Sequence, residues 1–111
     1  MSDCIFCKIS NKEIHADIVH EDENVLVFKD IHPKAPVHLL VVPKEHIASI
    51  AHLEHGHEDL IATLIFTAKR IALEQGLPGY KLLFNVGAEG GQVIDHLHLH
   101  ILGGMKGHEA A

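Results

Sequence analysis

Between residues 57 and 75 the apolar side chains Leu60, Ile61, Leu64, Ile65, Ala68, Ile71 and Ala72 recur every three or four positions. That spacing gathers them into one stripe of an α-helix. Glu58 and Asp59 fall in its first turn and Lys69 and Arg70 near its end, an order that suits the helix dipole. Gly76 and Pro78 supply the stop. Elsewhere the period is that of strands. Residues 17–21 and 24–31 read as two strands joined by the polar turn Glu21-Asp22-Glu23-Asn24, with Val25 and Val27 set against Leu26 and Phe28. Residues 37–42 form a third, aliphatic strand interrupted only by His38 and closed by Pro43. Lys44-Glu45-His46 opens a short helical segment to about Leu53, and Tyr80 to Val86 is a fourth strand. The lead through residue 16 is short and irregular or helical, and the tail from Met105 is expected to fray. The sum is an α+β plan: one domain over residues 1–111, an antiparallel sheet with one long helix on a face.

The fifth strand carries the chemistry. In Asp95-His96-Leu97-His98-Leu99-His100-Ile101-Leu102 three histidines alternate with aliphatic residues. In an extended strand His96, His98 and His100 share one face, about 6.6 Å apart, while Leu97, Leu99 and Ile101 point into a core. Two readings follow from the residues. Imidazoles two apart on a strand can present themselves to zinc, or a neutral imidazole can act as a nucleophile tuned by its neighbours. Upstream, Asn85-Val86-Gly87-Ala88-Glu89-Gly90-Gly91-Gln92 is a glycine-rich loop whose N–H groups can approach an oxyanion, with Asn85 and Gln92 as amide donors. Joined directly to the histidines, it looks like a phosphate cradle beside a nucleophile.

Composition narrows the partners. The formal charge is −6, and no basic patch of the kind nucleic-acid binders use is visible. No window approaches the ~18 uninterrupted apolar residues of a membrane span. The opening Met1-Ser2-Asp3-Cys4 lacks the basic and apolar regions of a signal peptide, which leads us to expect a cytoplasmic protein. Cys4 and Cys7, separated by two residues, suit metal or redox chemistry better than a structural disulfide, or else stand as small buried hydrophobes. Beyond these, His15, His20, His32, His52, His55, His57 and His108 read as solvated surface imidazoles.

The run Gly90-Gly91-Gln92-Val93-Ile94-Asp95-His96-Leu97-His98-Leu99-His100-Ile101-Leu102-Gly103-Gly104 resembles the signature of the histidine-triad (HIT) family, and more its Hint branch than its Fhit branch. Residues 3–9, 30–38 and 42–47 also look like their counterparts there, so the likeness covers nearly the whole chain. The resemblance implies a five-stranded antiparallel sheet with one long and one short helix, extended across a homodimer. It implies cleavage of a purine nucleoside 5′-phosphoramidate (AMP- or GMP-type) to the nucleoside monophosphate. His98 would attack the α-phosphorus, His100, Gln92 and the 91–94 backbone, with Gly91 and Val93, would hold phosphate, Asn85 would place the leaving group, and His38 would orient the triad. Asp30 would accept from the ribose hydroxyls, and Ile5, Phe6, Ile9, Phe28, Ile31 and Leu40 would form the base and sugar pocket. Relatives also imply a structural Zn²⁺ on Cys4, Cys7, His46 and His96. The rival readings are a dinucleoside polyphosphate hydrolase and a zinc-containing nucleotide-binding protein with negligible turnover. Three departures bear on leaving-group choice. Val93 stands where Ser or Thr is usual, Asp95 replaces a neutral residue and is expected on the face opposite the histidines, and the tail lacks the Trp-containing ending.

Overall fold

A computed structural model describes residues 3–105; the tail expectations, including His108, lie outside the described residues. The elements run α1 (Ile5–Ser10), β1 (Ile18–Glu21), β2 (Val25–Lys29), β3 (Val37–Pro43), α2 (Glu58–Glu74), β4 (Tyr80–Leu83) and β5 (Leu99–Gly103), with 3₁₀ turns at Ile50–His52 and Ala88–Gly90. The strands form one antiparallel sheet in the order β1-β2-β3-β5-β4. The α+β plan and the five strands are as expected.

The two faces of the sheet are covered by different helices. Val25, Val27, Leu39, Val41, Leu97, Leu99 and Ile101 pack with Leu64, Ala68 and Ile71 of α2. Leu26, Phe28, Leu40 and Val42 turn the other way, against Phe6 and Ile9 of α1. Covering both faces is why β2 and β3 read as near-continuous apolar runs. α2 stops where the sequence placed its end. Gly76 adopts a left-handed φ of 71°, and the Leu77 N–H bonds the Ala72 carbonyl. Among the described residues no helix is long and apolar enough to cross a membrane.

Three segments depart from the sequence pattern. The expected helix over 44–53 shrinks to the single turn Ile50–His52, capped by Ser49 Oγ, which accepts from the Ala51 N–H. The fifth strand begins at Leu99, not Asp95: its ladder with β3 ends at the Val41–Leu99 pair, and the chain bends over residues 94–96 while β3 runs on to Pro43 beside β2. The two leftover segments pair instead with each other: the Leu97 N–H donates to the Ile47 carbonyl. β4 stops at Leu83, whose partner is His100, so the expected strand residues 84–86 lie outside the ladder. Asp95 consequently sits in an exposed bend rather than on the core face of a strand.

Candidate active site

The triad keeps its alternation across the strand boundary. Leu97, Leu99 and Ile101 enter the α2 core, and the three imidazoles face the α1 side. There Phe6 sets its ring edge-to-face with His98 at 5.2 Å and with His96 at 5.8 Å between centroids. One short helix therefore shapes the environment of two triad members.

The backbone decides which nitrogen of each imidazole carries the proton. His98 Nδ1 lies 2.7 Å from its acceptor, the His96 carbonyl, so Nδ1 is the donor and Nε2 keeps a lone pair. The Lys34 N–H donates to His38 Nδ1 at 3.0 Å, which places the His38 proton on Nε2. That Nε2–H meets His100 Nδ1 at 2.9 Å, with Asp30 Oδ2 at 3.4 Å. His100 Nδ1 is thus an acceptor, and its own proton sits on Nε2, a buried donor with no protein partner. An orphaned buried donor beside a lone-pair imidazole is a site prepared for an anion.

Burial dominates the electrostatics. His38 is 5% and His98 8% exposed. Burial pushes His100 down to about 4, helped by the nearby His98 and His38 rings and opposed by Asp30. His38 is lowered by the same desolvation, against the pull of Asp30. The His38–His100 pair is therefore neutral at pH 7, and its tautomers hold as assigned.

Asp30, His98 and His100 line a cleft of about 460 Å³, with His38 behind them. Of the residues expected in the nucleotide pocket, Ile5, Phe6, Ile9, Phe28, Asp30, Ile31, Leu40, Val93, His98 and His100 all line it. Asn85, Gly91 and Gln92 do not. Asn85 Nδ2 donates to the Gly90 carbonyl. Gln92 Nε2 donates to the Ala48 and Ile94 carbonyls, and its Oε1 accepts from the Gly87 N–H. Their amides brace the glycine loop. Gly91 sits at φ 83°, with Asn85 Nδ2 only 3.5 Å from where a Cβ would stand. The sequence reading missed Ile14, Ala16, Lys29, Lys34 and Ile94 on the cleft wall, and it treated the wall residues His15 and His32 as plain surface. The signal available for Lys34 was its place between two prolines, which rigidify the turn that aims its N–H at His38.

A second cluster lies under the N-terminus of α1. Cys4 caps that helix, its Sγ accepting from the Cys7 N–H. Sγ of Cys4 and Cys7 and Nδ1 of His46 and His96 lie within 4.8 Å of one another. His96 Nε2 donates to the Pro43 carbonyl at 2.8 Å, so the Nδ1 lone pair faces Cys4 Sγ at 3.2 Å and Cys7 Sγ at 3.6 Å. His46 Nδ1 is 3.4 Å from Cys7 Sγ. Tetrahedral zinc with bonds of about 2.0–2.3 Å needs ligand separations of roughly 3.3–3.8 Å. The donor set and its spacing fit zinc, and the Pro43 carbonyl fixes the tautomer that zinc requires. Buried at 1% exposure, His96 is pushed toward its neutral form, the form that ligates.

Comparison with known proteins places this arrangement. Residues 3–110 match the family model described as "Scavenger mRNA decapping enzyme C-term binding". Protein HitA of Neisseria gonorrhoeae is 48% identical over 104 residues, 93% of this chain and 97% of its own. The 14 kDa zinc-binding protein of Zea mays is 42% identical over 108 residues, covering 95% of this chain and 84% of its own. A solved structure of a HIT family hydrolase from Legionella pneumophila Philadelphia 1 superposes with a TM-score of 0.92 at 48% identity, covering 94% of this chain and 95% of that one.

Proposed function

This chain belongs to the histidine-triad (HIT) family, and from that premise we propose that it hydrolyses purine nucleoside 5′-phosphoramidates to the nucleoside monophosphate. The observation that carries the reading is the His98 tautomer. Its Nδ1–H is committed to the His96 carbonyl, which leaves the Nε2 lone pair of a cleft-lining imidazole available for attack.

In the proposed reaction His98 Nε2 attacks the α-phosphorus, and the bond from phosphorus to the amine breaks. The electron pair leaves with the nitrogen, which takes a proton from solvent at the cleft mouth. Water then attacks the phosphorus of the nucleotidyl-histidine, releases the monophosphate and restores Nε2. Developing charge on the phosphoryl oxygens is met by the otherwise unpartnered His100 Nε2–H. Phe28, Leu40, Ile9 and Ile5 supply apolar walls for a base, and Asp30 Oδ2 accepts from ribose. Asn85, Gly91 and Gln92 serve by holding the glycine loop in place.

Zinc on Cys4, Cys7, His46 and His96 would tie α1 to the triad segment; its contribution is structural. Because Ile5, Phe6 and Ile9 lie on α1, that tether also fixes one wall of the cleft. We further propose a homodimer. β4 is an edge of the sheet, with Tyr80 and Leu82 exposed, and Phe66 and Leu73 of α2 stand exposed beside it.

The test compares wild type and His98→Ala on adenosine 5′-phosphoramidate and on Ap3A, with AMP binding by calorimetry. Phosphoramidate turnover lost in His98→Ala supports the reading. Turnover of Ap3A alone transfers it to a dinucleoside polyphosphate hydrolase, and AMP binding without turnover of either compound removes the hydrolase.

A further inference from the structure

Cys4 and Cys7 are placed for a reaction with each other as well as for a metal. Cys4 is the N-cap of α1 and Cys7 its third helical residue, and the Cys7 N–H donates to Cys4 Sγ at 3.5 Å. Helix positions three apart stand about 5 Å from each other at Cα, inside the range a disulfide spans. The two Sγ atoms lie within 4.8 Å of one another, and both cysteines are half-buried, open to small solutes. Their surroundings differ. Cys4 Sγ lies 3.2 Å from Nδ1 of His96, which is 1% exposed, whereas Cys7 Sγ lies 3.4 Å from Nδ1 of the exposed His46. A solute entering from outside therefore meets Cys7 first. Zinc on these residues would keep both sulfurs as thiolates, the nucleophilic form.

We propose that Cys4 and Cys7 form a reversible oxidation site for hydroperoxides. Cys7 Sγ attacks the terminal peroxide oxygen, the O–O bond breaks, and the other oxygen leaves with the electron pair and takes a proton from solvent. Cys4 Sγ then attacks the sulfur of the Cys7 sulfenic acid. The S–O bond breaks, hydroxide leaves and becomes water, and the disulfide is formed. Two thiolates have given two electrons, and the hydroperoxide has become an alcohol (water, from hydrogen peroxide) plus one water. Oxidation removes two of the four zinc donors, and the imidazoles of His46 and His96 alone do not close a tetrahedral site. The disulfide fastens the first turn of α1 to itself, so the helix survives while its tie to His46 and His96 is lost. Phe6, between the two cysteines, packs its ring against His96 and His98. The cleft wall on α1 therefore slackens and nucleotide binding weakens. Only these two consequences rest on the zinc and nucleotide readings; the disulfide does not.

The test treats reduced, zinc-loaded protein with a slight excess of hydrogen peroxide. Intact mass should show the loss of two hydrogens per chain, both thiols should vanish, and the zinc should pass to a chromogenic chelator in step with them. Dithiothreitol and added zinc should restore the starting protein. Cys4→Ser should stop at a sulfenic acid on Cys7, trapped by dimedone, and Cys7→Ser should react at least about tenfold more slowly. The wild-type mass and thiol count carry the test where a variant fails to fold. AMP affinity, by calorimetry, should fall several-fold on oxidation and return on reduction. Thiols that survive the peroxide, sulfinic acid in place of a disulfide, or a disulfide that joins two chains overturns the proposal. A disulfide formed in protein that holds no zinc supports the oxidation site and removes the zinc reading. A disulfide formed in protein that binds AMP in neither state supports the site and removes the nucleotide reading.

Discussion

His38 Nε2 and His100 Nδ1 face each other at 2.9 Å across the β3–β5 ladder, and the direction of that hydrogen bond is set four residues before His38, by the Lys34 N–H. A backbone amide in a proline-flanked turn thereby determines that His100 offers a proton, not a lone pair, to the cleft. His38→Ala should release the His100 ring to rotate and to exchange tautomers. We expect kcat on the phosphoramidate to fall about 10- to 100-fold, with a smaller change in KM. Steady-state kinetics read this, and nitrogen NMR of the His100 ring should show a mixed tautomer. An unchanged kcat would mean the relay is not needed.

Acid should destabilise the fold through the same pair. Folding lowers His100 from the ordinary histidine value near 6.5 to about 4 and lowers His38 in the same direction, mainly by burial. Between those values the unfolded chain binds protons that the folded chain refuses. Stability is therefore greatest above pH 6.5 and is lost as pH falls toward 4, below which this contribution flattens. His100 alone accounts for at most about 3.5 kcal/mol, at about 1.4 kcal/mol per unit. Urea melts at pH 7 and pH 5 should differ in midpoint, and His100→Gln should flatten the difference.

Removing the metal should loosen α1 before it unfolds the sheet. Cys4 and Cys7 hold a six-residue helix too short to persist alone. Metal analysis of untagged protein should find about one zinc per chain, absent in Cys4→Ser. Chelation should lower Tm by on the order of 10 °C and speed hydrogen exchange in residues 5–10, while α2 stays protected. Protein that carries no zinc, with Cys4→Ser folding normally, would return the cysteines to the role of small buried hydrophobes.

Where the sequence reading worked, a local period was backed by burial. α2 was read to within a residue, and the apolar faces of β2 and β3 were legible because each residue there is covered on its own side. It failed where partners come from afar. The segments 44–49 and 94–98 have no ladder of their own and pair with each other, a long-range relationship that no local pattern announces. The cleft's aliphatic wall and the four cysteine and histidine donors were legible by resemblance. The tautomers were not, because they depend on the carbonyls of His96 and Pro43 and on the Lys34 amide, and every residue has such groups.

Val93 offers a gain-of-function test. It is 87% exposed on the cleft wall, so its side chain has little packing to lose. Val93→Ser would add a hydroxyl to the cleft wall that also carries His100, the proposed phosphate donor. One added hydrogen bond to a charged oxygen contributes about 1–2 kcal/mol, which corresponds to roughly five- to thirtyfold in kcat/KM. Thermal stability should stay within about 0.5 kcal/mol of wild type. A change confined to stability, with kinetics unaltered, would show that residue 93 does not reach the phosphate.

The proposed dimer can be tested without touching the cleft. Leu73 is 78% and Phe66 67% exposed, two turns apart on one α2 face, and Leu77 and Tyr80 continue that surface to the open edge of β4. A second copy of the same edge would satisfy the unpaired N–H and C=O groups of β4 and cover this patch at once, as a two-fold axis requires. Wild type should therefore sediment at twice the 12.2 kDa chain mass. Leu73→Glu buries a charge in that interface and should cost about 2–4 kcal/mol, at least thirtyfold in dissociation constant. Because Leu73 contributes little to the monomer core, the monomeric variant should keep its circular dichroism spectrum. Wild type sedimenting as a monomer at micromolar concentration would overturn the proposed dimer.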